Sequence, residues 1–308
     1  MSGSSSVIVV GSVAFDNIIT PFARGEYLLG GSASYASIAA SYFAPSRLVA
    51  RVGKDFQDKF LQRFKERGVC LEGLQMDPEG ETFFWAGKYH DNFDERDTLE
   101  TRLNVLEEFR PELPESYKTT PFVLLANIGP DLQLHLLDEM SPDAKPFVVA
   151  DTMNLWIDIM RSKLMEMIAR VDLLVLNDEE AEMLTEERNV YLAGPKLLKL
   201  GPQFVIVKKG SHGAILFGPN GQLFAIPAYP VENLQDPTGA GDSFAGALTG
   251  YLADKNARDF ASIKQAMVYA TVTASYTVEA FSSDSLEAAG REGIDARAAK
   301  LREIIKLD

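Results

Sequence analysis

From residue 122 onward, short apolar runs alternate with longer helical stretches, and that alternation leaves few folds open to the chain. Residues 122–126, 147–150, 173–176 and 204–207 are unbroken apolar runs of strand length, separated by helical patterns at 131–140, 155–170 and 179–200. Strands that are apolar on both faces are covered on both faces, the condition of a parallel sheet with crossover helices. Val7-Ile8-Val9-Val10, ended by Gly11, has the same character and adds a first central strand. Open α/β sheets bind ligands past the carboxyl ends of such strands. Asp16, Asn127, Asp151 and Asn177 stand there.

The chemistry is concentrated in Asp236-Pro237-Thr238-Gly239-Ala240-Gly241-Asp242-Ser243-Phe244-Ala245-Gly246-Ala247, a Gly-rich turn running into a helix of small apolar residues. A helix start offers unpaired N–H groups and the positive end of its dipole, which together make an anion site. Asp242 would compete with a bound phosphate unless it takes a proton from whatever attacks that phosphate. An anion hole with a base beside it points to phosphoryl transfer to a hydroxyl.

Elsewhere the residues leave alternatives open. Gly30-Gly31 opens a second helix of small residues, where backbone can approach a ligand closely. Residues 18–29, 71–76 and 82–89 read as strands of a small separate sheet. In it Phe83 and Trp85 share one face and Phe84 takes the other; each ring either glues the sheet or offers a stacking platform. Residues 91–104, dense in charge, read as a solvated loop and helix start from which Arg96 or Arg102 can reach a phosphate. Asn154 serves either a substrate or a helix cap. Asp178, Glu179 and Glu180 suit the first turn of a helix. His212 sits in a turn without an evident partner, a poor general base. Cys70 reads as a small buried hydrophobe.

Taken together, the Asp236 to Ala247 run, the Gly30-Gly31 pair, Asn177-x-x-Glu180 and Val205-x-x-x-Lys209-Gly210-x-x-Gly213-Ala214 resemble the PfkB/ribokinase family of carbohydrate and nucleoside kinases, over residues 7 to about 281. The resemblance implies an α/β fold, a ribokinase-like three-layer sandwich with a central, mostly parallel sheet. It also implies a small β-sheet lid formed by about 13–29 and 70–90, with residues 1–6 as a disordered leader. It assigns Asp242 as catalytic base and the N–H groups of Gly239, Ala240 and Gly241 as the phosphoryl cradle. Asp16, Gly30 and Gly31 hold the acceptor, with Phe83, Trp85 and Asn154 as further acceptor contacts. Asn177, Lys208, Gly210, Gly213, Thr238 and Val278 line the nucleotide. Glu180 and Asn177 belong to the Mg²⁺ shell, and Mg²⁺ keeps several waters, so few protein ligands suffice. The implied cofactors are ATP, Mg²⁺ and a monovalent cation such as K⁺. Lid strands pair between subunits in some members, which adds a homodimer through the lid to the implied partners.

One position departs from the family. Many sugar-specific members carry an Asn four residues after the second Gly, where this chain has Tyr35. That departure, the aromatic lid and the absence of a clear Arg/Lys clamp lean toward a ribonucleoside such as adenosine as acceptor. A sugar kinase of fructose, ribose or sugar-acid type is the alternative, and a non-catalytic sugar or nucleotide sensor the third. Overall charge limits the rest: at −14 the chain lacks the basic surface that nucleic acid or an anionic membrane requires. A single cysteine excludes an internal disulfide, and without a signal peptide or a long apolar run the expected location is the cytoplasm.

Overall fold

The computed structural model describes residues 5–93 and 95–306. Strands β1 (Val7–Val10), β2 (Ala14–Ile19) and β3 (Arg24–Gly30) precede helix α1 (Ser32–Ser41). They are followed by β4 (Ser46–Val52), α2 (Asp58–Glu66), β5 (Cys70–Met76), β6 (Phe83–Tyr89) and β7 (Arg96–Arg102). The expected alternation then sets in: β8 (Phe122–Leu125), α3 (Pro130–Glu139), β9 (Phe147–Asp151), α4 (Asn154–Ile159) and α5 (Arg161–Ile168). It continues with β10 (Leu173–Asn177), α6 (Asp178–Thr185), α7 (Val190–Leu198) and β11 (Phe204–Lys208). A hairpin of β12 (Ala214–Phe217) and β13 (Leu223–Ile226) leads to three long helices, α8 (Ala240–Lys255), α9 (Phe260–Thr277) and α10 (Asp284–Ile304).

Nine strands form the main sheet in the order β13-β12-β11-β10-β9-β8-β1-β4-β5, parallel except for the β12–β13 edge. Side chains of β1 alternate between two cores. Val7 and Val9 join residues of α1, α2, α8, α9 and α10, while Ile8 and Val10 join those of α3, α5 and α7. This is the three-layer arrangement that two-sided apolar strands require. The connection reverses direction between β4 and β8, on either side of β1, and so opens a crevice at the carboxyl end of β1. Helices α1 and α8 meet closely there: a Cβ on Gly246 would lie 2.3 Å from the Ala36 carbonyl oxygen, and one on Gly250 2.7 Å from that of Ala40.

Four strands in the order β3-β2-β6-β7 form a second sheet. Two strand assignments need correction. Residues 70–76 belong to the main sheet as β5, not to the lid, because Leu71 and Leu74 face the core beneath α2 while β5 runs parallel to β4. Residues 96–102, read as loop and helix start, form the exposed strand β7 paired to β6. Its charges suit an edge strand, where they discourage further pairing. Cys70 is exposed at the start of β5 rather than buried. Of the expected leader 1–6, residues 1–4 lie outside the described residues.

Candidate active site

The turn before α8 sets the centre of the site. Gly239 takes φ +76 and caps the helix, a conformation that favours glycine. Ala240 N–H is drawn into a turn bond to the Pro237 carbonyl (3.2 Å), and Ser243 N–H bonds Gly239 O (2.8 Å). Gly241 and Asp242 thus present the first-turn N–H groups of a sixteen-residue helix. Lys208, at the end of β11, reaches this helix start: its Nζ lies 3.0 Å from where a Gly241 Cβ would stand. The ammonium also pairs with Asp151 Oδ1 at 3.1 Å, at the end of β9. Burial pulls the lysine's pKa down, yet Asp151 and Glu180 outweigh it and the net shift is upward, so Lys208 is a fixed cation in the anion cradle.

Acidic side chains gather around that cation. Asp242, half-buried, is pushed up to about 7 by burial and by Asp151, against the pull of Lys208 and Arg96. Asp16, buried on β2, is pushed up to about 8 by burial, Asp236 and Asp242, while the Gly31 N–H and Arg96 draw it down. Its carboxyl lies against Gly30, where a Cβ would come within 1.9 Å of Oδ2; that glycine exists to admit the carboxylate. Asp236 is fully buried; burial lifts it to about 6 while its Oδ1 accepts the Thr238 N–H at 2.9 Å. Strand β2 and the signature turn therefore bring Asp16, Asp236 and Asp242 together, although Asp16, expected just past the end of β1, lies within β2 of the second sheet.

Glu180 and Asn177 form a reciprocal cap at the start of α6. Asn177 Oδ1 accepts the Glu180 N–H (2.7 Å), and Glu180 Oε2 accepts the Asn177 N–H (2.8 Å). Burial raises Glu180 to about 7, with Lys208 opposing. Its carboxyl therefore faces the Lys208–Asp151 pair and caps a helix at once.

The second sheet supplies the opposite wall. Trp85 stands in register with Asp16, and Phe83 with Ala14, so these half-buried rings share the face of Asp16. Phe84 is buried on the other face against Tyr27, with Arg102 over its ring. The Trp85 indole lies across Gly87, and the Arg96 guanidinium sits 5.4 Å from its centroid. Tyr89, on the same face, shares a hydrogen bond with Thr238 Oγ1 (3.0 Å), tying the second sheet to the signature turn. Arg96, half seen in the sequence, and Tyr89, missed there, thus border the candidate site. Strand parity with Phe83 and Trp85 was the available signal for Tyr89.

Other expected residues are placed less centrally. Val278 O accepts the N–H groups of Gln235 and Asp236, anchoring the signature from the end of α9. Gly210 is exposed with open space around it, whereas Gly213 (φ +89) is packed against the Ile226 carbonyl and serves the β11–β12 connection. Asn154 is exposed, its Oδ1 bonded to the Leu155 N–H (2.8 Å). Asn127 accepts the Trp156 indole N–H (2.7 Å). His212 is exposed.

Asp16 gives the free protein a definite pH response. Its folded pKa near 8 lies above the ordinary 3.8, so between those values the native state holds a proton that the unfolded chain has released. Stability from this group is therefore complete at low pH and is lost as pH rises through about 8. Melting temperatures across pH 5–9 are expected to fall in wild type and to fall less steeply in Asp16→Asn, where Asp236, Asp242 and Glu180 keep their own share of the slope. An equal slope in both proteins would remove Asp16 as the cause.

An anion cradle with a fixed lysine, a carboxylate poised near neutrality and an acceptor wall define a phosphotransferase that acts on an alcohol group. The chain belongs to the pfkB family of carbohydrate kinases, whose model matches residues 5–288. It is 30% identical over 250 residues to a cytidine kinase of Thermococcus kodakarensis, covering 80% of this chain and 88% of that one. Its fold is that of the nucleoside kinase of Methanocaldococcus jannaschii (TM-score 0.76, 20% identity, 97% of this chain and 100% of that one). An E. coli neighbour solved with ATP and Mg²⁺ superposes with TM-score 0.78 at 21% identity, over 96% of this chain and 99% of that one.

Proposed function

We propose that the chain transfers the γ-phosphoryl group of ATP to the primary hydroxyl of a ribonucleoside. The observation that carries the transfer is Asp242 beside the Gly241 N–H at the start of α8, with Lys208 at its other side. Asp242 accepts the hydroxyl proton as that oxygen attacks, and a pKa near 7 suits a base working at neutral pH. The N–H groups of Gly241 and Asp242 and the Lys208 ammonium hold the charge that develops on the phosphoryl oxygens. Asp16 and the Gly30-Gly31 backbone hold the acceptor, and Asn177, Glu180, Thr238 and Val278 border the nucleotide.

Mg²⁺ would be held through Glu180 and Asn177, and it supplies charge neutralisation across the phosphates. Among the described residues no three acidic or imidazole groups cluster closely enough to hold a metal by themselves, so water and phosphate oxygens would complete the shell; Glu180, Asp151 and Asp242, all acting on Lys208, are an acidic excess that a divalent cation would relieve. Asp236 Oδ2, fully buried and unpartnered among the described residues, suits a monovalent cation such as K⁺.

A nucleoside is favoured over a sugar by Trp85, whose indole shares the face of Asp16 and can stack on a base, and by the cytidine and nucleoside kinases among the relatives. A sugar acceptor is the second reading, supported by the family's description and by Tyr89 and Arg96, polar groups on that same wall. ADP release with Mg-ATP over cytidine, adenosine, ribose, fructose and a sugar acid separates the two. Nucleoside turnover well above that of the sugars is expected; turnover confined to a sugar would replace the first reading with the second.

A further inference from the structure

Strand β6 is tied to the rest of the molecule at both of its ends. Just before its start, Thr82 Oγ1 accepts the Gly53 N–H (3.0 Å) past the end of β4 and donates to Asp55 Oδ1 (2.7 Å). At its far end, roughly 20 Å along the strand, the Tyr89 hydroxyl shares a hydrogen bond with Thr238 Oγ1 (3.0 Å). Thr238 in turn donates its N–H to Asp236 Oδ1 (2.9 Å), and the next residue is Gly239, which caps α8. Arg96, opposite Tyr89 in the β6–β7 register, donates to the phenol oxygen, and the tyrosine is only 5% exposed. Between the two anchors stands Trp85, in register with Asp16. The Thr82 end works as a hinge on the main sheet. The Tyr89 end meets the turn that opens the phosphoryl cradle, and it does so through a pair of hydroxyls.

We propose that Tyr89 is a positioning residue: its bond to Thr238 holds the second sheet closed against the signature turn before either ligand arrives. For its two ligands, ATP and a small acceptor, the inference rests on the kinase reading above. The acceptor lies between the Asp16 wall and the cradle, so it needs both in place. A protein already closed binds each ligand without help from the other. One that must first close binds each more weakly, in proportion to its closed fraction, and the first ligand bound then raises the affinity for the second. The Tyr89–Thr238 bond therefore sets how independent the two sites are. A hydrogen bond of this kind, with a guanidinium behind it, shifts such an equilibrium by about tenfold.

The test reads closure directly. Spin labels on the native Cys70, exposed on the main sheet, and on Glu100→Cys, exposed on β7, report the separation of the two sheets. Without ligand, the labelled parent is expected to show a single distance population. Adding Tyr89→Phe should bring a second, longer distance holding about a tenth or more of the molecules. Cytidine with Mg²⁺ and the non-hydrolysable β,γ-methylene analogue of ATP should then remove it. Calorimetric titration gives the second readout: the analogue should tighten cytidine binding several-fold more in Tyr89→Phe than in wild type. A merely structural role predicts a lower melting temperature with the same distances and the same coupling between ligands. Unchanged distances or unchanged coupling would overturn the proposal. Should Tyr89→Phe fail to fold, Thr238→Val removes the other hydroxyl and is read by the same labels, with the same expected and overturning distances. If wild type binds neither cytidine nor ribose beside the analogue, the kinase reading has failed separately, and the ligand-free distances alone decide the role of Tyr89.

Discussion

Asp242→Asn is expected to lower kcat by about 10²–10⁴ while leaving ATP binding nearly intact. The amide keeps the size of the carboxyl and leaves the first turn of α8 unaltered, so the cradle of Gly241 and Asp242 N–H groups persists. What is lost is the acceptor for the hydroxyl proton. The same substitution should not destabilise the protein, because burial and Asp151 already disfavour the ionised carboxyl and lift its pKa to about 7. At pH 8 the variant is therefore expected to melt at the same temperature as wild type or above it. A base held near 7 further implies that wild-type kcat/KM rises as pH passes through that value. Full turnover in the variant would remove Asp242 from the chemistry; a large loss of ATP affinity would make it a binding residue.

Lys208→Met carries the second large effect, on stability and rate together. The ammonium is 18% exposed and Asp151 7% exposed, so their 3.1 Å pair is largely removed from water. Removing one partner strands Asp151 and Glu180 without their cation, at a cost of about 3 kcal/mol in unfolding free energy, part of it offset as the acids take up protons. Turnover should fall by about 10²-fold as the cradle loses its fixed charge. Pairing the change with Asp151→Asn separates the two losses. The double variant is expected to regain part of its resistance to urea, because the carboxylate paired directly with Lys208 is gone and Glu180, already lifted to about 7, can take up a proton, yet to stay slow. A single variant as stable as wild type would show that solvent, not Lys208, balances these acids.

The parallel core was legible because β8 to β11 are apolar on both faces and are bracketed by helical patterns. Few arrangements cover such strands on both faces. The two errors share a physical cause. In β5 the mixture of Leu71, Glu72, Gly73 and Leu74 fits an edge strand of either sheet, and only packing under α2 decides which. In β7 the sequence Arg96 to Arg102 has no apolar period, since its place is fixed by backbone pairing to β6. The candidate site divides in the same way. Asn177 and Asp242 stand at a strand end and a Gly-rich helix start, which local sequence marks, whereas Asp16 lies within β2 of the second sheet. The Lys208–Asp151 pair joins residues 57 apart across the intervening β10, and only the strand order brings them together. Tyr35 meets Gly239 because α1 and α8 approach closely at Gly246 and Gly250, a helix contact without a one-dimensional signature. Arg96 and Tyr89 enter from the second sheet, where only the β6–β7 register pairs them with each other beyond Trp85.

The central claim is that a phosphoryl group leaves ATP for an acceptor hydroxyl under the control of Asp242. Mass analysis of cytidine and adenosine after incubation with Mg-ATP and the protein tests it most directly, with Asp242→Asn in parallel. The account predicts an acceptor heavier by one phosphoryl group in wild type, formed in step with ADP and nearly absent with the variant. ADP formed while every acceptor, nucleoside or sugar, remains unmodified would contradict it, as would equal product from both proteins.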